Sequence, residues 1–399
     1  MFDKRTLLSS ILLCLTTICI PAFAQKDTTL ALTPPMGWNS WNKFQCEGLN
    51  ETVIKGIADA MATNGMKDAG YQYVVLDDCW QMPDRDKDGN LVADKIKFPS
   101  RIAALAEYIH SKGLKIGIYT CAGTKTCGNF PGSRGYEFQD FKLFAQWRID
   151  FVKVDWCHAT TQNAQDSYTL ISKALQASNR PMILSICEWG LSKPWTWGKE
   201  VGHLWRTTGD ILNNWDVLDA KDGKVWSGGI TVNLDMQKNL EAFAGPGGWN
   251  DPDILNVGNG VLTLSEDRAH FSLWCMLAAP IIAGNDLRSM TRETLDILTN
   301  KEAVAINQDK LGKQGYKVLD QEYFEIFMKP LSDNDIAICL FNRGPKQQNV
   351  VVNWQDYEIS KDYSIRNIWK KSDAGLTDKP FKTSIDSHDV VLLRLMKKE

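Results

Sequence analysis

The sequence predicts an α/β protein with two domains, a (β/α)8 TIM barrel followed by a C-terminal antiparallel β-sandwich. From about residue 30 to residue 309, short apolar runs alternate with amphipathic helical stretches, which is typical of parallel βαβ units. The count of apolar runs reaches eight, and this number favours a closed barrel over an open sheet. Beyond residue 309 the helical period disappears, and short β-like runs are separated by turn clusters.

The eight predicted barrel strands are apolar runs that end at polar residues or at turns. They lie at 36–38, 71–76, 114–119, 151–154, 182–186, 204–206, 248–249 and 281–282. The third strand follows a helical stretch that ends at Lys112-Gly113, a common helix stop. The predicted sandwich strands lie at 323–328, 336–341, 350–354, 363–369 and 390–395.

Length and composition agree with this organisation. A chain of 399 residues is too long for one ordinary domain, and a net charge of -3 argues against a nucleic-acid partner or a polybasic membrane patch. The chain has 15 tryptophans, most of which we expect in the core and a few on a flat ligand surface. Those beside predicted strand ends are Trp38, Trp80, Trp156 and Trp189.

The N-terminus resembles a secretory signal. Lys4-Arg5 precedes an apolar stretch at 7–20, and Ala22-Phe23-Ala24 is typical of a cleavage site before Gln25. The stretch is too short to span a membrane, and no later segment is long enough. We therefore expect a signal peptide at 1–24, the barrel at 25–309 and the sandwich at 310–399, with export to the periplasm or the exterior.

Cysteine and histidine usage argues against a metal site. The 10 cysteines include no C-x-x-C pair, and the 5 histidines are scattered. An oxidising compartment permits disulfides among the cysteines beyond the signal segment, although spacing alone does not give their pairing. We expect no metal and no cofactor.

Two acids follow two predicted strands. Asp155 comes directly after the run 151–154, and Asp210 follows the run 204–206. The carboxyl ends of barrel strands form the floor of the active site in this fold. Two acids that face one cleft rich in aromatic side chains are the minimum needed to cleave a glycosidic bond.

Other charged residues fall at the same ends of predicted strands. Asp77, Asp78, Lys153, Glu188 and Arg206 converge on one mouth if the barrel is correct. An aspartate pair could bind a divalent cation, but the lysine and the arginine would repel the ion. Acids alternating with fixed cations suit a polyhydroxylated ligand better, because each hydroxyl both donates and accepts.

Each of these residues also has a structural interpretation. Asp77 and Asp78 could cap a following helix, and the Lys153 side chain could extend to the rim of the barrel. Arg206 and Asp210 could form a structural ion pair.

Six sequence blocks then carry a resemblance to a known family. They read LTPPMGWNSWN at 32–42, LDDCW at 76–80, VKVDWC at 152–157, WRTTGDI at 205–211, GPGGWNDPD at 245–253 and AINQD at 305–309. These blocks resemble glycoside hydrolase family 27, whose members include α-galactosidases and α-N-acetylgalactosaminidases. The resemblance runs from about residue 30 past residue 316, and it implies a barrel followed by a sandwich.

The resemblance implies a retaining exo-glycosidase that removes terminal α-galactosyl residues from oligosaccharides, galactomannans or simple galactosides. Asp155 would form a covalent glycosyl-enzyme, and Asp210 would act as general acid and then as general base. We expect Lys153 and Arg206 to favour the charged form of Asp155, and a less polar setting to raise the pKa of Asp210.

The resemblance also implies substrate contacts and disulfides. Asp77 and Asp78 would bind O4 and O6 of the sugar, Lys153 would bind O3 and O4, and Arg206 would bind O3 or O2. The remaining implied contact positions are Trp38, Tyr119, Cys127, Cys187, Glu188, Trp189, Leu191 and Ile254. The implied disulfides are Cys46–Cys79 and Cys127–Cys157.

Two positions bear on the narrower activity. Glu188 and Leu191 stand where α-N-acetylgalactosaminidases resemble each other in having Ser and Ala, and the larger side chains imply an α-galactoside substrate. An α-N-acetylgalactosaminidase and a β-L-arabinopyranosidase of the same family remain alternatives. A non-catalytic galactoside-binding protein is an alternative of a different class, but it would require the loss of one acid. We expect a galactoside as partner, and neither nucleic acid nor a membrane span.

Overall fold

The structure is a computed structural model, which describes residues 26–221 and 224–398 of the chain. The signal peptide expected at 1–24 lies outside the described residues. Within the described ranges, no helix combines the length and the apolar character that crossing a membrane requires.

Eight parallel strands form one sheet, as the sequence predicts. The first six are β1 (Met36–Asn39), β2 (Tyr73–Val75), β3 (Lys115–Cys121), β4 (Phe151–Asp155), β5 (Ile183–Cys187) and β6 (Leu204–Arg206). They pair with one another in chain order, in parallel. Their apolar side chains are buried on both faces, which explains the continuous apolar runs in the sequence.

Between the sixth and seventh barrel strands the chain forms a small sheet that the sequence analysis did not predict. Its strands are β7 (Asp210–Ile211), β8 (Leu218–Lys221) and β9 (Lys224–Gly228), in the order β7-β9-β8. The barrel resumes with β10 (Trp249–Asp251), which pairs with β6, and β11 (Ile281–Ala283), which pairs with β1. A parallel bridge from Leu255 to Ala283 joins the two ends of the sheet and closes the barrel.

The helices surround the barrel. They are α1 (Trp41–Gly48), α2 (Glu51–Thr63), α3 (Met66–Ala69), α4 (Arg101–Ser111), α5 (Glu137–Gln146), α6 (Ala164–Ala177), α7 (Ile230–Asp235), α8 (Leu264–Met276), α9 (Arg292–Leu298) and α10 (Lys301–Asn307). Helix α8 begins at a capping box formed by Thr263 and Glu266. Most of its residues are buried because it lies between the barrel and the C-terminal domain.

The C-terminal domain is a sandwich of two antiparallel sheets. Its strands are β12 (Tyr316–Asp320), β13 (Phe324–Pro330), β14 (Ile336–Asn342), β15 (Gln348–Val352), β16 (Tyr363–Asn367), β17 (Ser372–Leu376), β18 (Phe381–Ile385) and β19 (Asp389–Lys397). One sheet has the order β12-β13-β14-β19-β16-β17, and the other pairs β15 with β18. Alternation along β19 sends Leu393 into the sandwich and Leu392 towards the core that it shares with α8.

Polar contacts reinforce this junction between the two domains. Arg268 of α8 forms an ion pair with Asp389 at the start of β19. Glu302 of α10 accepts a bond of 2.9 Å from Arg366 of β16. The barrel and the sandwich therefore share one apolar interface with charged pairs at its edges.

Replacing Leu392 by alanine tests the shared core. The side chain is fully buried, so Leu392→Ala should lower the free energy of unfolding by about 2–5 kcal/mol through lost contacts and a cavity. Val351→Ala, in the exposed part of β15, is the control and should cost less than about 1 kcal/mol. Chemical denaturation measures both values, and an L392A protein as stable as the wild type would contradict this packing.

Candidate active site

The carboxyl ends of the barrel strands open into a cavity of about 320 Å³. Such an opening is the usual site of chemistry in this fold. The predicted site residues that line it are Asp77, Asp78, Tyr119, Cys127, Lys153, Asp155, Arg206, Asp210 and Ile254. Lining residues that sequence reasoning missed are Trp41, Asn42, Gln45, Ile211, Leu212, Asn213, Ser227, Asp253 and Asn256.

Asp155 is the last residue of β4, and its side chain is buried at the base of the cavity. Its Oδ1 accepts a hydrogen bond of 2.8 Å from the backbone N–H of Trp156. Burial raises the pKa of Asp155 to about 7, although the nearby Lys153 ammonium opposes that rise. Lys153 therefore favours the charged form of Asp155, as we expected, but desolvation outweighs its effect on the pKa.

Asp77 and Asp78 form the floor of the cavity beside Asp155. Asp77 Oδ2 receives bonds from Lys153 Nζ at 2.8 Å and from Asn39 Nδ2 at 2.7 Å. Asp78 Oδ2 accepts a bond of 2.7 Å from the Gly128 N–H, and burial raises the pKa of Asp78. These fixed donors orient the two carboxyl groups towards the cavity in a preorganised arrangement.

The alternative that Asp77 and Asp78 cap a helix is wrong. The next helix along the chain is α4, which begins only at Arg101, so neither residue is in position to cap a following helix. The alternative for Lys153, an extension to the solvent at the rim, is also wrong. Its side chain is mostly buried and bonds to Asp77 within the cavity.

Asp210 reaches the cavity from the small sheet rather than from the end of a barrel strand. It lies four residues beyond the end of β6, in β7, where it pairs in register with Ser227. Its side chain is 59% exposed and lies 3.1 Å from Arg206 Nη2. The structure thus places one buried acid and one exposed acid in the same cavity.

The buried Arg206 guanidinium joins Asp210 to Asp253. Its Nη2 lies 2.9 Å from Asp253 Oδ2 and donates to the backbone oxygens of Thr208, at 3.2 Å, and of Gly209, at 2.6 Å. The ion pair that the sequence left open therefore exists, and it belongs to the cavity. Arg206 thus forms ion pairs with both Asp210 and Asp253.

Asp253 is a site residue that sequence reasoning missed. Its Oδ2 accepts a bond of 2.8 Å from the N–H of Ile211, the residue after Asp210. Its backbone has a φ of 87°, a left-handed conformation that non-glycine residues rarely adopt. The sequence did offer a signal for this residue. Asp253 lies two residues beyond Asp251, the acid that ends β10, and so it follows a barrel strand as the other predicted site acids do.

Five predicted contact residues do not line the cavity: Trp38, Cys187, Glu188, Trp189 and Leu191. Trp38 is fully buried, and its Nε1 donates to the Asn285 oxygen at 2.7 Å. Glu188 is also buried, its Oε2 accepts a bond of 2.8 Å from the Ser192 N–H, and burial raises its pKa to about 7. Leu191 is 45% exposed. Roles for these residues in binding remain predictions.

Both implied disulfides are present in the structure. Cys127–Cys157 lies at the cavity wall, and Cys46–Cys79 joins α1 to the loop after Asp78. Across the described ranges, one close group of possible metal donors occurs, and it consists of Cys127, Cys157 and Asp155. Sulfur atoms in a disulfide offer no thiolate to an ion, so this group does not suit a metal.

A second cavity, of about 400 Å³, lies where the barrel meets the sandwich. Its charged groups pair with one another: Lys317 and Arg343 both contact the buried Glu325, at 2.9 and 2.6 Å. It offers no pair of acids like that of Asp155 and Asp210, so we place the chemistry at the barrel mouth.

The barrel and its pair of acids define a glycoside hydrolase. Residues 33–309 match the family model Melibiase_2, described as alpha galactosidase A, and residues 321–395 match Melibiase_C, the alpha galactosidase C-terminal beta sandwich domain. The chain belongs to this alpha-galactosidase family, glycoside hydrolase family 27.

Individual relatives support this membership. The chain is 46% identical over 404 residues to "Alpha-galactosidase A" of Cellvibrio japonicus, with 98% of this chain and 99% of that protein covered. Alpha-galactosidase I from Mortierella vinacea has a similar structure, with a TM-score of 0.90, 35% identity and coverage of 93% and 99%. The Saccharomyces cerevisiae enzyme with raffinose has a TM-score of 0.88, 27% identity and coverage of 94% and 100%.

The acidic limb of the pH profile should depend on Lys153. Removing its charge destabilises the carboxylate, so Lys153→Met should raise the pKa of Asp155 further and move the acidic limb of kcat/KM to higher pH. In the wild type that limb should lie well above the ordinary aspartate value of 3.8. A chromogenic glycoside measures the profile. Lys115→Met, exposed at the other end of the barrel, is the control, and an unshifted limb in K153M would contradict the coupling.

Proposed function

We propose that the protein is a retaining exo-α-galactosidase, which hydrolyses terminal α-D-galactosyl residues of oligosaccharides, galactomannans or simple galactosides. The observation that carries the proposal is the pairing of a buried Asp155 with an exposed Asp210 in one sugar-sized cavity. A non-catalytic binding protein is disfavoured because both acids are present together.

The different exposure of the two acids supports their roles. Asp155, at the closed end of the cavity, attacks the anomeric carbon and forms the covalent galactosyl-enzyme. Asp210, at the open end, protonates the departing oxygen and then takes a proton from the incoming water. The leaving group and the water both pass the mouth, so the acid that exchanges protons with them lies on the solvent side.

The floor of the cavity supports a terminal sugar as the ligand. Asp77 and Asp78 offer carboxylate oxygens, and Lys153 offers N–H donors between them and Asp155. A galactose ring carries hydroxyls that both donate and accept, so it can satisfy these groups together. Because the floor is buried, the sugar enters from the mouth, and this geometry suits cleavage at chain ends.

Export is part of the proposal. The described residues contain two disulfides, one at the cavity wall and one that includes the residue after Asp78, and stable disulfides are typical of oxidising compartments. This observation supports a periplasmic or extracellular location for the protein.

Azide rescue separates the two acids. With p-nitrophenyl α-galactoside, Asp155→Gly should lower kcat by about 10⁴-fold or more. Azide should then attack the anomeric carbon directly, expel p-nitrophenolate and give β-galactosyl azide. In Asp210→Gly the galactosyl-enzyme still forms because p-nitrophenolate needs no protonation, and azide should give α-galactosyl azide. NMR of the products measures the configuration.

The control for the rescue is Asp216→Asn, an exposed position between β7 and β8, which should keep wild-type turnover without azide. If both glycine variants gave the same anomer, or if either kept most of its activity, the assigned roles would be wrong.

A substrate panel tests the narrower specificity. The wild type should cleave α-galactosides with a higher kcat/KM than α-N-acetylgalactosaminides or β-L-arabinopyranosides. Glu188→Ser combined with Leu191→Ala should raise the relative activity on α-N-acetylgalactosaminides, because smaller side chains leave room for the acetamido group. Glu200→Ser, an exposed position nearby in the chain, is the control. Equal wild-type rates on the galactoside and the N-acetylgalactosaminide would contradict this assignment.

A further inference from the structure

Two partly exposed tryptophans lie beside the segment that carries Asp210. The rings of Trp189 and Trp226 have centroids 6.4 Å apart with an angle of 63° between their planes. Trp226 is 43% exposed, and Leu191 and Leu218, close to them in the chain, are 45% and 56% exposed. Large apolar side chains left at the surface near a cavity mark an interaction surface.

Close backbone packing fixes this pair relative to Asp210. A Cβ atom at Gly209 would lie 2.2 Å from the Trp226 oxygen, and one at Gly190 would lie 2.5 Å from the Thr207 oxygen. The loop after β5 and strand β9 therefore both pack closely against the segment 207–210. The two tryptophan rings meet beside the segment that carries Asp210.

A β-bulge sets the direction of the Trp226 side chain. In the pairing of β8 with β9, Asp219 is opposite Ser227 and Ala220 is opposite Val225, which leaves Trp226 as the extra residue. An extra residue interrupts the alternation that would otherwise send Trp226 and Ser227 to opposite faces. Ser227 lines the cavity, so the bulge allows Trp226, which is not itself a lining residue, to lie on the same side of β9 as Ser227.

The backbone at Trp189 is strained. Its φ is 60°, in the left-handed region that bulky residues avoid. Such strain persists only where the surrounding structure holds it, and it concentrates at ligand-binding positions. A bulge at one tryptophan and strain at the other both serve to orient an exposed aromatic pair.

We propose that Trp226, supported by Trp189, is a stacking surface for the sugar unit to which the terminal galactose is attached. The inference rests on the proposed α-galactosidase function and names its preferred substrate class, oligosaccharides whose aglycone is a pyranose. The aglycone leaves the cavity past Asp210, and the aromatic pair lies beside that acid. Flat apolar faces of pyranose rings stack on tryptophan.

The test compares two substrates with the same galactosyl group. Methyl α-galactoside has only a methyl aglycone, whereas an α-galactosyl-(1→6)-glucose disaccharide extends to the mouth. Trp226→Ala should lower kcat/KM for the disaccharide by about tenfold and leave methyl α-galactoside within about twofold. Trp226→Phe keeps an aromatic ring, so it should retain most of the wild-type kcat/KM for the disaccharide.

The control is Phe138→Ala, which removes a 51% exposed aromatic ring from α5 outside the cavity lining and should change neither substrate. If W226A is active and keeps the wild-type ratio of kcat/KM between the two substrates, the stacking surface is wrong. This conclusion holds even if sedimentation shows that the variant self-associates differently. A wild type that cleaves neither substrate overturns the proposed function, and this inference with it.

Discussion

The buried guanidinium of Arg206 is the interaction on which the catalytic centre depends. A buried charge is tolerated only when it is paired and hydrogen-bonded. The Arg206 guanidinium contacts Asp210, Asp253 and the two backbone oxygens just before Asp210 in the chain. Those partners belong to the connections after β6 and β10. One cation therefore fixes where the exposed acid lies, and it links that acid to the barrel that holds Asp155.

Acids outnumber cations in the cavity, and this imbalance defines the ligand. Five aspartates line it, while Lys153 and Arg206 are its only lining cations among the described residues. Burial raises the pKa of Asp78, Asp155 and Asp253 because water is scarce and the two cations do not compensate fully. A ligand rich in hydroxyl donors can satisfy the unfilled carboxylate oxygens without adding charge, as a sugar does.

Local patterns made most of the barrel and the base of the site predictable. Strands buried on both faces give continuous apolar runs, and the positions of Lys153 and Asp155 follow from the run that they end. The sheet β7–β9 was missed because its strands are short and mostly exposed. The sandwich strands β12, β17 and β18 were missed because almost none of their residues are buried. The partners of Arg206 and the φ of Asp253 depend on tertiary contacts, which no local pattern encodes.

The two halves of the cavity are built from different kinds of structure. The half proposed to bind the terminal sugar uses β4, the loop after β2 and the wall at Cys127–Cys157, where strands and disulfides restrict movement. The half near Asp210 is formed by the connection between β6 and β10. Its strands β7, β8 and β9 form a separate sheet and are not part of the barrel. Changes in the connection that contains β7–β9 can therefore alter the open side of the cavity while the floor at Asp77 and Asp78 stays intact. Variation in loops on a fixed barrel is how this fold accepts different substrates.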